Sequence, residues 1–311
     1  MHTYIFRRLL YTIPILLGVT AIIFLLFNIF SPDPAYILLG KHASVEQANE
    51  VRKSLGLDRP LIIQYFDLVK SSFTFDFGRS WSTKQDILTM IKQGAGPSLS
   101  ISVPAFILST LISITIALFV AYFRGKSIDK IIVFICVALM SISSLAYILF
   151  GQWALAFKLS LFEISGYEEG FPDFIPYILL PMWIWVILSV GPDVRFFRTV
   201  MLDEIYQDYV RTARAKGLSE RAILFKHVLK NAMIPILTYT IIKIPFLILG
   251  ALLLESFFSI PGLGGMTLAA VNTSDFPVLR AMTVLSAVSY ILFSLITDVL
   301  YTVVDPRVSL K

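Results

Sequence analysis

Six apolar stretches of about 20 residues each constrain this chain more than any other feature of its sequence. An α-helix rises about 1.5 Å per residue, so about 20 apolar residues are needed to cross roughly 30 Å of hydrocarbon. We therefore predict an all-α membrane protein with six transmembrane helices. The predicted spans cover residues 9–30, 98–123, 131–157, 174–189, 234–254 and 281–304.

The composition agrees with a membrane protein and excludes several other classes. Of the 311 residues, 57% are hydrophobic and 15% are charged, which is unlike a soluble domain. A net charge of +5 is too small for a nucleic-acid groove unless it is concentrated on one face, so no nucleic-acid partner is predicted. Cys136 is the single cysteine and the three histidines are far apart, which excludes an intramolecular disulfide and a cysteine-rich metal site.

The first apolar stretch is predicted to remain in the protein as an anchor. It carries no charge and follows Arg7 and Arg8. It is longer than the apolar region of a cleaved signal peptide, and the residues after it do not resemble a cleavage site. We therefore treat residues 1–30 as a cytoplasmic segment plus the first span.

Basic side chains alternate with the spans and predict the orientation. They concentrate before span one, between spans two and three, between spans four and five, and after span six, whereas the loop after span three is acidic. Because Lys and Arg stay in cytoplasmic loops, both termini are predicted to be cytoplasmic. The basic residues assigned to the inner side are Arg7, Arg8, Arg124, Lys126, Lys130, Arg195, Arg198, Arg211, Arg214, Lys216, Arg221, Lys226, Lys230, Arg307 and Lys311.

The long connection over residues 31–97 is predicted to lie outside. It also has eight basic residues, but a loop longer than about 60 residues crosses the membrane largely regardless of charge. Ser44 and Gln47 have the spacing of a capping box, and Pro60 can begin a second helix. Two short helices are therefore expected, either as a cover for the outer face or as a contact surface for a soluble partner.

The loop over residues 208–235 is the most informative segment. Leu218, Ala222, Phe225 and Leu229 recur at steps of four, three and four, which places them on one face of a short amphipathic helix. Gly217 interrupts the helical run before it, so a bend is predicted there. A charged amphipathic helix of this kind could simply lie on the anionic inner leaflet.

This loop, with Arg-Thr-Ala-Arg-Ala-Lys-Gly over residues 211–217, resembles the EAA loop of permease subunits in binding-protein-dependent ABC importers. The B-type subunit of the dipeptide and oligopeptide family is similar from end to end. Each shared motif is weak alone, but their order and spacing are specific. They are Phe-Arg-Arg-Leu at 6–9, Leu-Gly-Leu-Asp-Arg-Pro-Leu at 55–61, Gln-Tyr at 64–65, Asp-Phe-Gly at 76–78, Glu255 with Pro-Gly-Leu-Gly-Gly at 261–265, and Asp-Val-Leu-Tyr at 298–301 with Asp-Pro-Arg at 305–307.

The resemblance implies a type I ABC importer permease fold in a bacterial inner membrane, with an outer loop at 31–97 and a five-helix core at 98–311. It implies that the loop forms a coupling helix, which sits in a groove of a cytoplasmic ATPase. The implied coupling residues are Arg211, Ala213, Gly217, Leu218, Ala222, Phe225 and Leu229. Arg211 stands at the acidic position that gives the loop its name.

The implied partners are a homologous second permease subunit, two cytoplasmic ATP-binding subunits and a periplasmic binding protein that delivers di- or oligopeptides. ATP would be hydrolysed by the partners, and no cofactor is expected on this chain. Its Gly-Lys-Ser at 125–127 lacks the glycine that a phosphate-binding loop needs at position 120, so the chain itself is not predicted to be an enzyme.

Other cargoes and mechanisms remain open at this point. Nickel chelates, glutathione and antimicrobial peptides are alternatives within the same family. A secondary carrier driven by an ion gradient is a rival from another class. Such carriers tend to contain internal repeats, and no second copy of any segment is visible in this sequence.

Lys243 falls near the middle of the fifth span, where a lysine costs about 2.5–3.5 kcal/mol. It should face protein or water rather than lipid. One role is an interhelical pair, for which Asp298 in span six is an available acid. The other is a cation in the translocation path that meets a peptide carboxylate. Asp298 and Asp305 are seven residues apart and share a helix face with Tyr301 nearby, and this set is interpreted as structural closure at the inner boundary. The Pro-Gly segment at 261–265 is interpreted as a tight turn between spans.

Overall fold

The computed structural model of the chain describes residues 2–30, 33–40 and 43–304. Within these ranges the protein is helical and has no β-strand. Three short π-helical turns, Leu25–Ile29, Gln152–Lys158 and Leu224–Val228, adjoin the α-helices. The α-helices are α1 His2–Phe24, α2 Pro34–Leu39, α3 Val45–Ser54, α4 Leu61–Thr74, α5 Ile87–Tyr122, α6 Ser127–Ser141, α7 Ser144–Gly151, α8 Ile175–Ile205, α9 Asp208–Ala215, α10 Glu220–Ile223, α11 Leu229–Ile248, α12 Leu252–Phe257, α13 Leu263–Asn272 and α14 Phe276–Val304.

The prediction of an all-α membrane fold is confirmed. Among the described residues, five helical segments are long and apolar enough to cross a bilayer, and α6 with α7 makes a sixth if the bent pair is one span. This number fits the type I permease fold. Arg307, Lys311 and Asp305, which the sequence places near the inner boundary, lie outside the described residues.

The predicted span boundaries are wrong where local capping or tertiary packing overrides the apolar pattern. Helix α5 begins at Ile87, well before residue 98, because the Asp86 side chain accepts a hydrogen bond from the Thr89 N–H at 2.9 Å. Helix α8 does not end near residue 189. It continues through Gly191 and Pro192 to Ile205, so the helix extends beyond the apolar run.

The third predicted span is broken rather than continuous. Its two halves, α6 and α7, are bent by 88° between Ser141 and Ser144. The Tyr147 hydroxyl donates to the carbonyl of Leu139 at 2.9 Å, which satisfies a backbone acceptor next to the break. A membrane helix tolerates such a break when side chains replace the lost backbone hydrogen bonds.

Helices α5 and α8 form the centre of the bundle and share its most extensive contact. The buried face of α5 is a stripe of small residues at helical spacing, which lets two helix backbones approach closely. The larger side chains at this contact come from α8, where Phe197 and Met201 are almost fully buried. The small residues are Ser98, Ser102, Ala105, Ser109, Ser113, Ala117 and Ala121.

The two helices predicted in the connection over residues 31–97 are present. The capping box is confirmed, with Ser44 accepting from the Gln47 N–H at 3.2 Å and Gln47 accepting from the Ser44 N–H at 3.1 Å. Helix α4 follows Pro60 and packs along α1. The Tyr65 hydroxyl donates to the carbonyl of Leu17 at 3.0 Å, which fixes the two helices side by side.

The buried carboxylate of Glu255 organises the end of the bundle where α11 stops. It accepts hydrogen bonds from the Ser98 hydroxyl at 2.7 Å, the Ala251 N–H at 2.9 Å and the Gly265 N–H at 2.9 Å. A Cβ on Gly264 would lie 2.7 Å from the Leu252 nitrogen, so only glycine fits there. We call Glu255 and these donors the Glu255 cluster. The interpretation of residues 261–265 as a simple tight turn is wrong, because this segment starts helix α13.

Asp275 connects the segment after α4 to the start of α14. Its carboxylate accepts from the Ser80 hydroxyl, from the Trp81 N–H at 3.0 Å and from the Ser82 N–H at 3.1 Å. Burial alone would raise the pKa of this carboxyl, but the hydrogen bonds outweigh that effect and lower its pKa below the usual 3.8. Asp275 is therefore ionised at neutral pH and holds the two segments together.

Replacing Glu255 with Ala should destabilise the protein strongly. The change leaves three donors without their acceptor, and each buried donor left unpaired costs about 1–3 kcal/mol. We expect a clear fall in the thermal unfolding midpoint of the purified protein in detergent. Glu163→Ala, at an exposed acid, is the matched control. Equal midpoints for the two variants would contradict the role assigned to the cluster.

Candidate functional site

The segment between α8 and α11 folds into two short helices separated by a turn. Helix α9 ends at Ala215, and Gly217 adopts a φ of +78°, a conformation that glycine takes without the strain of a Cβ. Helix α10 then begins after Ser219, whose side chain accepts from the Ala222 N–H at 3.3 Å. The chain bends at Gly217 as the sequence predicts.

The helix after the bend is not a separate short helix, and that prediction is wrong. Helix α10 continues without a gap through the π-helical turn into α11. No Gly or Pro occurs between Ser219 and Pro235, so nothing in the sequence ends the helix before the apolar run starts. The loop is therefore joined directly to a helix that enters the membrane.

The predicted coupling residues divide between surface and core. Leu218 and Phe225 are exposed, at 42% and 61% of their surface, although both are large and apolar. Ala222 and Leu229 are half-buried, and Ala213 is buried against the bundle. Arg211 is exposed, and its guanidinium lies 3.3 Å from the Asp208 carboxylate. We call Leu218, Ala222 and Phe225 the loop surface.

Ion pairs fix this loop to the helices around it. The Arg214 Nε donates to Glu220 at 2.8 Å, which joins α9 to α10 across the Gly217 bend. The other oxygen of Glu220 lies 3.7 Å from the guanidinium of Arg124, which follows α5. The loop therefore has a defined position relative to α5.

A second ion pair holds the turn between α5 and α6 against α8. The Asp129 carboxylate, whose side chain is 7% exposed, accepts two hydrogen bonds from Arg198 at 2.7 and 2.9 Å. It also accepts from the Gly125 N–H at 3.0 Å. A bidentate pair that is partly shielded from water is stronger and more directional than an exposed one.

Tyr209 lies in the first turn of α9 and is hydrogen-bonded to the end of α8. Burial, together with a hydrogen bond that its hydroxyl donates to Glu204, raises the pKa of Tyr209 to about 12. The phenol is therefore neutral at physiological pH and keeps its role as a donor. This contact connects α9 to the last turn of α8.

A charge pair lies inside the bundle between α8 and α11. The Lys243 ammonium donates to Asp193, whose side chain is 3% exposed. The Tyr239 hydroxyl donates to the same carboxylate at 3.1 Å, and Lys243 Nζ lies 4.3 Å from the centroid of the Tyr239 ring. The ring of Tyr239 in turn stacks on Phe196 with centroids 4.2 Å apart.

This geometry gives Lys243 the interhelical pair that the sequence allows, but with a different acid. The sequence offers Asp298, whose side chain lies outside the described part of the structure; the described partner is Asp193. Sequence reasoning misses Asp193 because span four is predicted to end before Gly191. A lysine inside one span calls for an acid on a neighbouring helix. Asp193 becomes a candidate partner once α8 is known to continue past residue 189.

Sequence comparisons agree with this architecture. Residues 113–310 match the binding-protein-dependent transport system inner membrane component, and residues 1–102 match the N-terminal region of such membrane components. The chain belongs to this family. It is a multi-pass inner membrane component of a transport system, and its family works with ATP-binding and binding-protein partners.

Several relatives of this inner membrane component match it over nearly their whole length. A probable peptide ABC transporter permease protein of Sinorhizobium fredii is 32% identical over 318 residues, covering 99% of each chain. A putative peptide transport system permease protein of Brucella abortus is 30% identical over 311 residues, covering 99% of each chain. A glutathione transport system permease protein of Shigella flexneri is 30% identical over 311 residues, covering 100% of each chain.

Removing one member of the Asp193–Lys243 pair should destabilise the inner membrane component. Asp193→Asn leaves the ammonium without its counter-charge, and breaking a buried pair costs about 3–5 kcal/mol. Replacing both residues, as Asp193→Leu with Lys243→Met, removes both charges and should restore much of the thermal stability. The thermal unfolding midpoints of the wild-type, Asp193→Asn and doubly substituted proteins in detergent measure this difference.

Arg195→Gln is the control for the loss of a charge from α8, because Arg195 is exposed on the same helix. It should change the unfolding midpoint little. An Asp193→Asn protein as stable as the Arg195→Gln protein would contradict a structural pair. A changed peptide preference in Lys243→Met, at unchanged stability, would instead favour contact with cargo.

Proposed function

We propose that the chain is one of two homologous permease subunits of an ATP-driven importer for di- and oligopeptides. Two cytoplasmic ATPases bind its inner end and that of the second permease subunit, and a periplasmic binding protein delivers the peptide. The observation that carries the proposal is the loop surface, where Leu218 and Phe225 are exposed on a loop that ion pairs fix to the spans. The names of the relatives support peptides as cargo, and glutathione is itself a tripeptide.

The proposed orientation has both termini in the cytoplasm. The turn between α5 and α6 and the loop between α8 and α11 meet at one end of the bundle through the Arg124–Glu220 pair, and the Arg198–Asp129 pair joins the start of α6 to the same end of α8. Both segments are rich in Lys and Arg, which favours the cytoplasmic side. The acidic segment over residues 163–173 precedes the opposite end of α8. The charge pattern and the packing therefore support the same orientation.

The loop surface fits the way in which one helix docks into a groove of another protein. Such grooves take a narrow apolar face with polar flanks, and Arg221 and Lys226 flank Phe225 on the exposed side. In the proposed mechanism each ATPase binds the loop of one permease subunit. Closure of the ATPase pair then moves the two loops towards each other. The hydrolysis of ATP occurs in the partner subunits.

The movement reaches the membrane through two connections. Helix α10 is continuous with α11, so displacement of the loop surface moves the start of α11 directly. The Arg214–Glu220–Arg124 pairs carry the same displacement to α5. Alternating access then follows from the relative tilt of the paired permeases, which open outward to receive the peptide and inward to release it.

Placing a charge on the loop surface should uncouple transport without unfolding the protein. Leu218→Asp and Phe225→Asp each put a carboxylate into an apolar contact with the ATPase, while surface substitutions typically change stability by about 0.5 kcal/mol or less. We expect at least a tenfold loss of ATP-dependent peptide uptake in proteoliposomes, with normal membrane insertion.

The matched control is Leu161→Asp, because Leu161 is 64% exposed but lies in the segment before α8, away from the loop. It should keep uptake near the wild-type rate. Full uptake in both loop variants would remove the loop surface from the mechanism. A variant that fails to insert is replaced by Phe225→Ser, which tests the same contact with a smaller change.

Crosslinking should identify the partner at the loop surface. Cys136 is 3% exposed, so a cysteine introduced as Phe225→Cys is the accessible thiol. In native vesicles a short thiol-reactive crosslinker should join it to a nucleotide-hydrolysing subunit. Leu161→Cys should give no such product. The absence of any ATPase adduct from position 225, in vesicles that still import peptide, would favour a carrier that works without ATPases.

A further inference from the structure

A polar cavity of about 520 Å³ lies between the end of α1, the segments around α3 and α4, and the start of α14. Its volume is in the range of roughly 300–1,000 Å³ that is usual for small-molecule sites. The described side chains that carry charge around it are four cations and two acids. They are Lys53, Arg59, Arg79, Arg280, Asp67 and Asp76.

Arg280 is held in this cavity by neutral groups only, as far as the described residues show. Its guanidinium donates to the Asn28 side-chain oxygen, and Asn28 donates to Gln64 at 2.8 Å. Gln64 is itself fixed, because its amide donates to the carbonyls of Leu57 at 3.1 Å and Arg59 at 2.8 Å. This hydrogen-bonded chain orients the guanidinium without neutralising it.

The positive charge of Arg280 therefore lacks a counter-charge in the described part of the chain. None of the ion pairs among the described residues includes Arg280, and its Nε is buried without an acceptor there. A partly buried cation without an anion is costly, and a bound anion would offset that cost. The planar guanidinium matches the geometry of a carboxylate.

The other charges of the cavity are distributed unevenly. Arg59 and Asp67 pair with each other at 3.3 Å. Among the described residues, Lys53 and Arg79 form no ion pair, and the same is true of Asp76. The cavity thus presents unpaired cations and one unpaired acid to the same space.

We propose that this cavity binds a short zwitterionic peptide, with Arg280 contacting its carboxylate and Asp76 placed for its ammonium group. The proposal rests on the proposed function, because the ligand is the cargo and the cavity faces the side from which cargo arrives. The acidic side chain of a docked protein would fill only a small part of the space. A ligand with both charges uses the cations and the acid together.

The test uses the complete importer complex in lipid nanodiscs, without its binding protein, and measures binding of alanyl-alanine by calorimetry. Alanyl-alaninamide lacks the carboxylate and should bind at least tenfold more weakly, as expected when a charge-assisted hydrogen bond is lost. Arg280→Gln should weaken alanyl-alanine binding at least tenfold, and Arg280→Lys should weaken it less. Asp76→Asn should weaken binding of alanyl-alanine but not of its N-acetyl derivative.

The matched control is Lys70→Gln, because Lys70 is exposed on α4 and is not part of the cavity wall. It should bind alanyl-alanine as the unaltered complex does. Equal binding of the acid and the amide, or an Arg280→Gln complex with unchanged affinity, would overturn the proposal. A third outcome is that neither the wild-type complex nor the two Arg280 variants bind alanyl-alanine, while both Arg280→Lys and Arg280→Gln lose affinity for peptide-free binding protein. In that case the cavity receives a protein side chain, and the cargo assignment is wrong.

Transport separates this proposal from the importer itself. The wild-type complex with its binding protein could show ATP-dependent uptake without detectable alanyl-alanine binding. That result rejects the proposed peptide site in the cavity and leaves the importer function standing. Conversely, an assembled complex could bind alanyl-alanine through Arg280 but show no ATP-dependent uptake. That result supports the peptide site and contradicts the importer function.

Discussion

A helix that starts inside an apolar bundle leaves its first N–H groups without acceptors, and the Glu255 carboxylate accepts hydrogen bonds from such groups at the starts of α12 and α13. Water cannot solvate these groups in hydrocarbon, so each break needs a polar side chain beside it. Ser98 on α5, Ala251 before α12 and Gly265 in α13 all donate to this one carboxylate. Three parts of the chain are thereby fixed at one point, which allows the short helices α12 and α13 to be stable at the end of the bundle.

Glu255 and Asp275 have neutral donors as their described partners, whereas two other buried acids each pair with a cation from another helix. Asp129 pairs with Arg198, and Asp193 pairs with Lys243. Both pairs include α8, which therefore contacts α6 and α11 through ionic as well as apolar groups. Isolated exposed pairs contribute little, but shielded pairs fix the relative position of helices.

The apolar pattern predicts the existence of the spans because burial in lipid depends on composition along the chain, which a sequence displays directly. It does not predict where helices end when the deciding contact is a side chain outside the apolar run. Helix α5 starts after Asp86, eleven residues before Ser98, and α8 passes through Pro192, a residue that membrane helices tolerate. The capping box at Ser44 is predictable because both partners lie within four residues.

The candidate site shows the same division between local and tertiary information. The bend at Gly217 and the amphipathic pattern after it are local, and the sequence contains both. The partner of Lys243 depends on the register of α8 against α11, and the Arg280 cavity combines residues from positions 28, 64, 76 and 280. Neither hydropathy nor spacing carries information about such combinations, so only the folded chain reveals them.

Helix α8 runs through both of the large apolar clusters of the bundle. Its 31 residues extend about 46 Å, which exceeds the roughly 30 Å of hydrocarbon. One half of α8 packs into the cluster around Ile178 and Ile184, and the other half into the cluster around Phe197 and Met201. Helix α11 ends instead at Ile248, and the chain turns at Gly250 with a φ of +73° before the Glu255 cluster. Helix α8 is thus continuous between the two apolar clusters, whereas the chain after α11 turns into the Glu255 cluster, so the two helices that the Asp193–Lys243 pair joins end in different ways.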